Sequence, residues 1–174
     1  MKKNILILCL LTLLGSSAFA KLNVRVNGFA GYGFLTTEPI KTSGFFFPEL
    51  SLNVDYEIPL SGGDSIGTGV TAGALLFPGV QLDVSYIHCL QAQSSNEYKW
   101  YVEPELHGGV GIVGLDVVQC YPFFTVDALF TYKPTSKGLY FGFGPGCYFM
   151  VVPEKNKPSC MIMPGFDVSV GYTL

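Results

Sequence analysis

From Leu22 onward, apolar and polar residues alternate with a period of two, the pattern of strands whose faces meet different surroundings. In the first segment Leu22, Val24, Val26, Ala30, Tyr32 and Phe34 share one face, while Asn23, Arg25, Asn27, Gly31 and Gly33 share the other. The second sets Leu50, Leu52, Val54, Tyr56, Ile58 and Leu60 against Ser51, Asn53, Asp55 and Glu57. The same alternation runs over about 65–76, 80–88, 100–112, 124–132, 139–151 and 162–174, which predicts eight strands. Turn chemistry separates them at Ser61-Gly62-Gly63-Asp64, Phe77-Pro78-Gly79, 134–138 and 153–158. Longer loops are expected over 35–49, 113–123 and 152–161, the first carrying Phe45, Phe46 and Phe47.

The two faces decide the architecture. The apolar face contains no Asp, Glu, Lys or Arg; the other carries Arg25, Asp55, Glu57, Asp83, Glu103, Glu105, Asp127 and Asp167, with many glycines. An eight-stranded barrel encloses a narrow interior, which suits glycine and short polar groups better than a crowd of rings. The apolar face therefore points outward, which in water would be an aggregation surface but which a bilayer requires. The predicted fold is all-β: an eight-stranded antiparallel up-and-down transmembrane β-barrel. Strands of about 9–11 residues are long enough to span a membrane when tilted. If both termini lie on one side, Tyr56, Tyr86, Tyr132 and Tyr172 close even-numbered strands and Trp100 opens the fifth, so all five fall on one rim. That is the position of an interfacial aromatic girdle.

Composition sharpens this picture. Only 13% of the 174 residues are charged, against about 25% in a typical soluble domain. Residues 1–20 have the form of an exported leader: Lys2 and Lys3, an apolar run from Ile5 to Leu14, and Ala18-Phe19-Ala20 as the cleavage site. The barrel is then the single domain 21–174. Loss of the leader leaves 8 basic against 13 acidic residues, a net charge of −5, which disfavours nucleic-acid binding. Four cysteines remain, Cys89, Cys120, Cys147 and Cys160, and they permit a disulfide or serve as small apolar residues. Cys120 and Cys160, both near one rim, are the preferred pair. No C-x-x-C is present, and no metal or cofactor is expected.

The inward acids suggest a cation-attracting, water-containing lumen, with an ion pair from Arg25 to Glu57 or Asp55. His88 falls at the end of strand four and His107 among lumenal glycines; Asp83 and Ser85 share one face with no His between them, so no catalytic residues are expected. Gly109-Val110-Gly111-Ile112-Val113-Gly114 matches a dinucleotide fingerprint by letter, but no helix follows it.

Over the whole mature chain, the sequence resembles small bacterial outer-membrane barrels of the OmpA and OmpX type. Phe166, Val168, Val170, Tyr172 and Leu174 are similar to the alternating terminal strand that the outer-membrane assembly machinery reads, with Leu174 where Phe or Trp is common. The resemblance implies an outer-membrane monomer with periplasmic termini, contacting lipid and, during biogenesis, the barrel assembly machinery. Its expected role is non-enzymatic: anchoring, surface display, and limited cation or small-solute passage. Two alternatives are a periplasmic barrel that binds lipid or another small hydrophobe and a lipid A modifying enzyme.

Overall fold

Each alternating segment forms a strand, because a pleated chain sends successive side chains to opposite faces and this sequence supplies opposite chemistries. The computed structural model describes residues 20–37, 41–73, 78–113, 119–152 and 159–174. The expected leader, residues 1–20, falls almost wholly outside them, as do the tips at 38–40, 74–77, 114–118 and 153–158. The strands are β1 (Lys21–Thr37), β2 (Lys41–Pro59), β3 (Ser65–Gly73), β4 (Gly79–Cys89), β5 (Tyr98–Val113), β6 (Gln119–Pro134), β7 (Gly138–Val152) and β8 (Ser159–Thr173). They pair antiparallel in sequence order, and β8 returns to β1, closing the barrel. Closure leaves no sheet edge for a second chain to extend.

One end of the barrel carries Lys21 and Leu174 together with the connections at 60–64, 90–97 and 135–137. The β2–β3 connection includes a short 3₁₀ turn over Ser61–Gly63, where Gly62 and Gly63 take φ of 78° and 90°, a region open to glycine. The strands run further toward the opposite end than the sequence pattern suggests. The expected loop at 35–49 shortens, because β1 continues to Thr37 and β2 begins at Lys41; β6 likewise takes in 119–123. Phe45, Phe46 and Phe47 are therefore strand residues and not a loop segment. Phe46 points outward, 66% exposed, while Phe47 is buried inside. The physical reason lies across the strand pair: Phe45 faces Gly33 and Phe47 faces Gly31. A Cβ at Gly33 would stand 2.5 Å from the Phe45 ring, so the glycine provides the space the ring occupies.

Outside, Val26, Leu52, Leu82, Phe124, Leu139 and Val168 are among many exposed apolar side chains. No outward position of the described strands holds Asp, Glu, Lys or Arg. The proline positions follow the same division. Pro48, Pro104, Pro122, Pro145 and Pro164 all lie on the outward face. Proline has no N–H to donate, and the ladder breaks where it would be needed. Pairing skips from Ser85↔Glu105 to His88↔Val102 beside Pro104, from Asp127↔Gly146 to Phe130↔Phe143 beside Pro145, and from Gly31↔Gly165 to Phe34↔Ile162 beside Pro164.

Close backbone approach makes inward glycines intolerant of side chains. A Cβ at Gly109 would collide with the Val80 carbonyl oxygen, and one at Gly144 with that of Ala128. Gly109→Ala and Gly144→Ala should each lower stability by about 1–3 kcal/mol, measured by urea unfolding of the detergent-folded barrel. Gly28→Ala, where the nearest atom lies at 3.9 Å, should leave it nearly unchanged.

Candidate functional site in the barrel lumen

The polar residues of the eight strands converge on an interior that has two chemically distinct storeys. The storey nearer the termini is a network of charges and amides. Lys133, at the end of β6, donates to Glu57 at 3.2 Å and lies 3.1 Å from Glu103. Its ammonium also sits 5.0 Å from the centre of the Tyr140 ring. Asn23 donates to Asp55 at 2.9 Å and to Glu57 at 3.1 Å, and accepts from the Thr173 hydroxyl at 2.8 Å. Thr131 donates to Glu103 at 2.5 Å.

Deeper, the Arg25 guanidinium spans the lumen to Glu105 as a two-pronged pair, with Nη1 to Oε1 at 2.7 Å and Nη2 to Oε2 at 2.6 Å. Glu103 lies 3.8 Å from the same group. The expected partner, Glu57 or Asp55 on the adjacent strand, is thus replaced by an acid from the opposite wall. The reason is reach: in so narrow a barrel a side chain standing perpendicular to β1 meets β5, and planar guanidinium matches carboxylate best end-on. Lys133 and Asn23 already occupy Glu57.

Above Arg25, Asp83 accepts from Asn53 at 2.6 Å and Thr71 at 2.7 Å, and its other oxygen meets His107 Nδ1 at 2.6 Å. His107 Nε2 lies 3.0 Å from Asp127 and 3.2 Å from Glu105. Asp83 therefore has a histidine neighbour after all, contributed by β5. The other face of that ring meets carboxylates and not a serine hydroxyl. His88, by contrast, stands at the rim, 3.1 Å from Asp64.

The second storey is mostly apolar, with the buried Glu49 set among its rings. Phe29, Phe47, Tyr121, Phe123, Tyr148, Met150 and Met163 form one buried cluster inside the barrel. The Phe29 and Tyr148 rings lie 4.4 Å apart, and Phe47 stands 5.8 Å from Tyr148 and 6.1 Å from Phe29. A polar lumen along the whole axis is therefore not what the chain builds; rings fill the half remote from the termini. Strand parity carries this signal once β2 and β6 are extended, since Phe47, Phe123 and Tyr121 then fall on the inward register.

All eight expected belt residues do face inward: Arg25, Glu57, Asp83, Glu103, Glu105, Asp127 and Asp167 are buried and Asp55 is half-buried. Asn23 and Asn53, expected on the inward face, supply amides to the network, and Lys133 and Thr71, not expected from the sequence, complete it. The parity of Tyr132 would have placed Lys133 inside had the strand been read one residue further. Tyr56, Tyr86, Trp100, Tyr132 and Tyr172 all point outward at the terminal end. Trp100 and Tyr132 rings stand 5.1 Å apart, and the Tyr86 hydroxyl donates to Asp64 at 2.6 Å. Phe166, Val168, Val170 and Tyr172 share the outward face of β8, and the exposed Leu174 follows directly after it. Cys120 and Cys160 lie on β6 and β8 with β7 between them. The Cys120 side chain falls outside the described residues, so their pairing remains an expectation from the sequence.

Two outcomes follow. Removing one member of the buried Arg25 and Glu105 pair strands the other, so Arg25→Met or Glu105→Gln should each cost about 3–5 kcal/mol in urea unfolding, with the double variant recovering part of the loss. At the rim, the Tyr86 hydroxyl, the Cys89 backbone N–H and His88 hold the Asp64 carboxyl below its usual range. A depressed carboxyl stabilises the fold above its unfolded-state value and loses that contribution as pH falls through the folded value. The wild-type thermal midpoint should therefore drop below about pH 4, and Asp64→Asn should flatten that drop.

No family model and no curated protein sequence matches this chain. Among solved structures, Neisserial surface protein A is similar at a TM-score of 0.51 and 11% identity, over 86% of this chain and 95% of that one. At that identity the likeness is one of fold: a closed, eight-stranded antiparallel barrel.

Proposed function

We propose that this chain is an integral outer-membrane barrel with both termini in the periplasm, acting without catalysis as a closed anchor that presents its opposite end at the cell surface. The observation that carries this reading is the inversion of the usual protein: an exterior of exposed Val, Leu, Phe and Tyr with no charged outward residue among those described, around an interior of ion pairs. In water such a surface aggregates, whereas in hydrocarbon a charge on it would cost about 2–4 kcal/mol at midplane. The aromatic ring at the terminal end suits the interface, and the outward stripe of β8 suits recognition by the assembly machinery. The fold is shared with a protein whose name describes it as a surface protein.

The plugged lumen favours anchoring and display over passage. An ion entering the acidic storey meets the Phe29, Phe47, Tyr148 and Met163 packing above it. The same packing disfavours a periplasmic binding barrel, because the apolar groups inside contact one another around a cavity of only about 10 Å³.

The purified mature chain should require detergent, migrate differently on gels before and after boiling, and show no unitary conductance in planar bilayers. An epitope inserted after Asn156 should be labelled on intact cells. Monodispersity in plain buffer would overturn the membrane reading, steady cation-selective current the closed one.

A further inference from the structure

A cavity of about 200 Å³ opens at the terminal end of the barrel, outside the ionic storey. Inward parity builds it. Lys21 from β1, Pro59 from β2, Cys89 from β4 and both Lys99 and Tyr101 from β5 turn into the mouth, while the 60–64 connection adds Leu60 and Asp64. Its inner limit is Glu57, which Lys133 holds at 3.2 Å. Both of those residues are buried, as is Glu103 beside them, so the cavity is blind toward the lumen.

The charges that line it are unequally satisfied. Both acids are engaged: Glu57 by Lys133 and Asn23, and Asp64 by the Tyr86 hydroxyl, the Cys89 backbone N–H and His88. The ammonium groups are not. Lys21 donates to the Thr135 carbonyl at 2.8 Å and Lys99 to that of Ala92 at 3.4 Å, and neither has a carboxylate within 4.0 Å among the described residues. An ammonium carries three N–H donors, so each lysine keeps donors to spare. Lys99 also stands directly opposite Lys133 on the β5–β6 pair. Like charges so placed repel, and Lys133 is already held by Glu57 and Glu103. Cleavage after Ala20, the expected site, adds the Lys21 α-ammonium to the same end.

We propose that this mouth is a binding pocket for one small organic anion, its carboxylate or phosphate group held by Lys21 and Lys99 and its compact apolar body packed against Pro59, Leu60 and Tyr101. Unmatched ammonium groups select anionic oxygens, and the apolar lining selects a body of low polarity, the usual division of roles in a small-molecule site. The volume suits a ligand built on a single ring, since a cavity of about 150 Å³ accepts benzene. An anion placed there also relieves the repulsion between Lys99 and Lys133. The pocket captures and does not conduct, because the buried ion pairs close its inner end. It is the same pocket whichever side of a membrane its mouth faces.

The test uses the mature barrel folded in a non-ionic detergent and titrated with benzoate, phenyl phosphate and the neutral benzyl alcohol, with detergent alone as the blank. Calorimetry should show a single saturable site for the anions, weakened when salt rises from about 0.05 to 0.5 M. Benzyl alcohol, which lacks the charge, should bind at least about tenfold more weakly. Lys21→Gln and Lys99→Gln should each weaken benzoate by about threefold to tenfold, and the double variant should lose saturation. Lys137→Gln, on the exposed 135–137 turn, should change nothing. Lys99→Gln should not lower the urea midpoint, because it removes the charge opposed to Lys133; weaker binding at unchanged stability separates a binding role from a structural one. Gel migration before boiling reports whether each variant folds. In the wild type, NOEs from the benzoate ring should reach Tyr101, a readout that needs no variant. No saturable binding of either anion, benzyl alcohol binding as tightly as benzoate, undiminished binding in the folded double variant, or NOEs that miss Tyr101 would overturn the proposal.

Discussion

The structure depends on a single electrostatic constraint: an outer wall without charge forces every charged strand residue into a lumen too narrow for water to screen them. At effective dielectric constants near 20 or below, an unmatched charge costs several kcal/mol, so each one must find a partner on another strand. This explains why the interior is a network and not a row of solvated acids. Arg25 reaches across to Glu105, Lys133 bridges Glu57 and Glu103, and His107 is surrounded by Asp83, Glu105 and Asp127. Three cationic or protonatable groups still face more acids than they can match, and the excess gathers around Asp127 and Asp167.

The same narrowness shapes the apolar storey. Rings such as Phe29 and Phe45 fit inside because glycines stand beside or opposite them, at Gly31 and Gly33. Each contact among aromatic rings adds about 0.5–1.5 kcal/mol beyond burial, and the cluster of Phe29, Phe47 and Tyr148 makes three of them. Ionic network and plug are thus complementary: one joins the strands near the termini, the other fills the half of the barrel remote from them.

Much of this was legible in the sequence because alternation is a strong signal when one face admits no charge at all. Strand number, order, facing and the rim position of Trp100 and its tyrosines follow from parity alone. What parity does not supply is which inward groups touch. The pairing of Arg25 depends on barrel diameter and on the prior engagement of Glu57 by Lys133, neither of which is local. Phe47 was hidden by a different effect: Phe45-Phe46-Phe47 has no alternation of its own, and only the glycines on β1 show that two of the three rings turn inward. His107 looked like an isolated residue among glycines because its neighbours come from β4 and β6.

The outward prolines give the wall an uneven mechanical character. Three of the eight seams, β4–β5, β6–β7 and β1–β8, are perforated where Pro104, Pro145 and Pro164 withhold a donor. The last of these is the seam by which the cylinder shuts, so the closing join is interrupted where the neighbouring β1–β2 and β7–β8 joins are not. A sideways pull, or the insertion of a foreign strand while the barrel is being made, would part the sheet there before it tore the uninterrupted β1–β2 or β5–β6 joins.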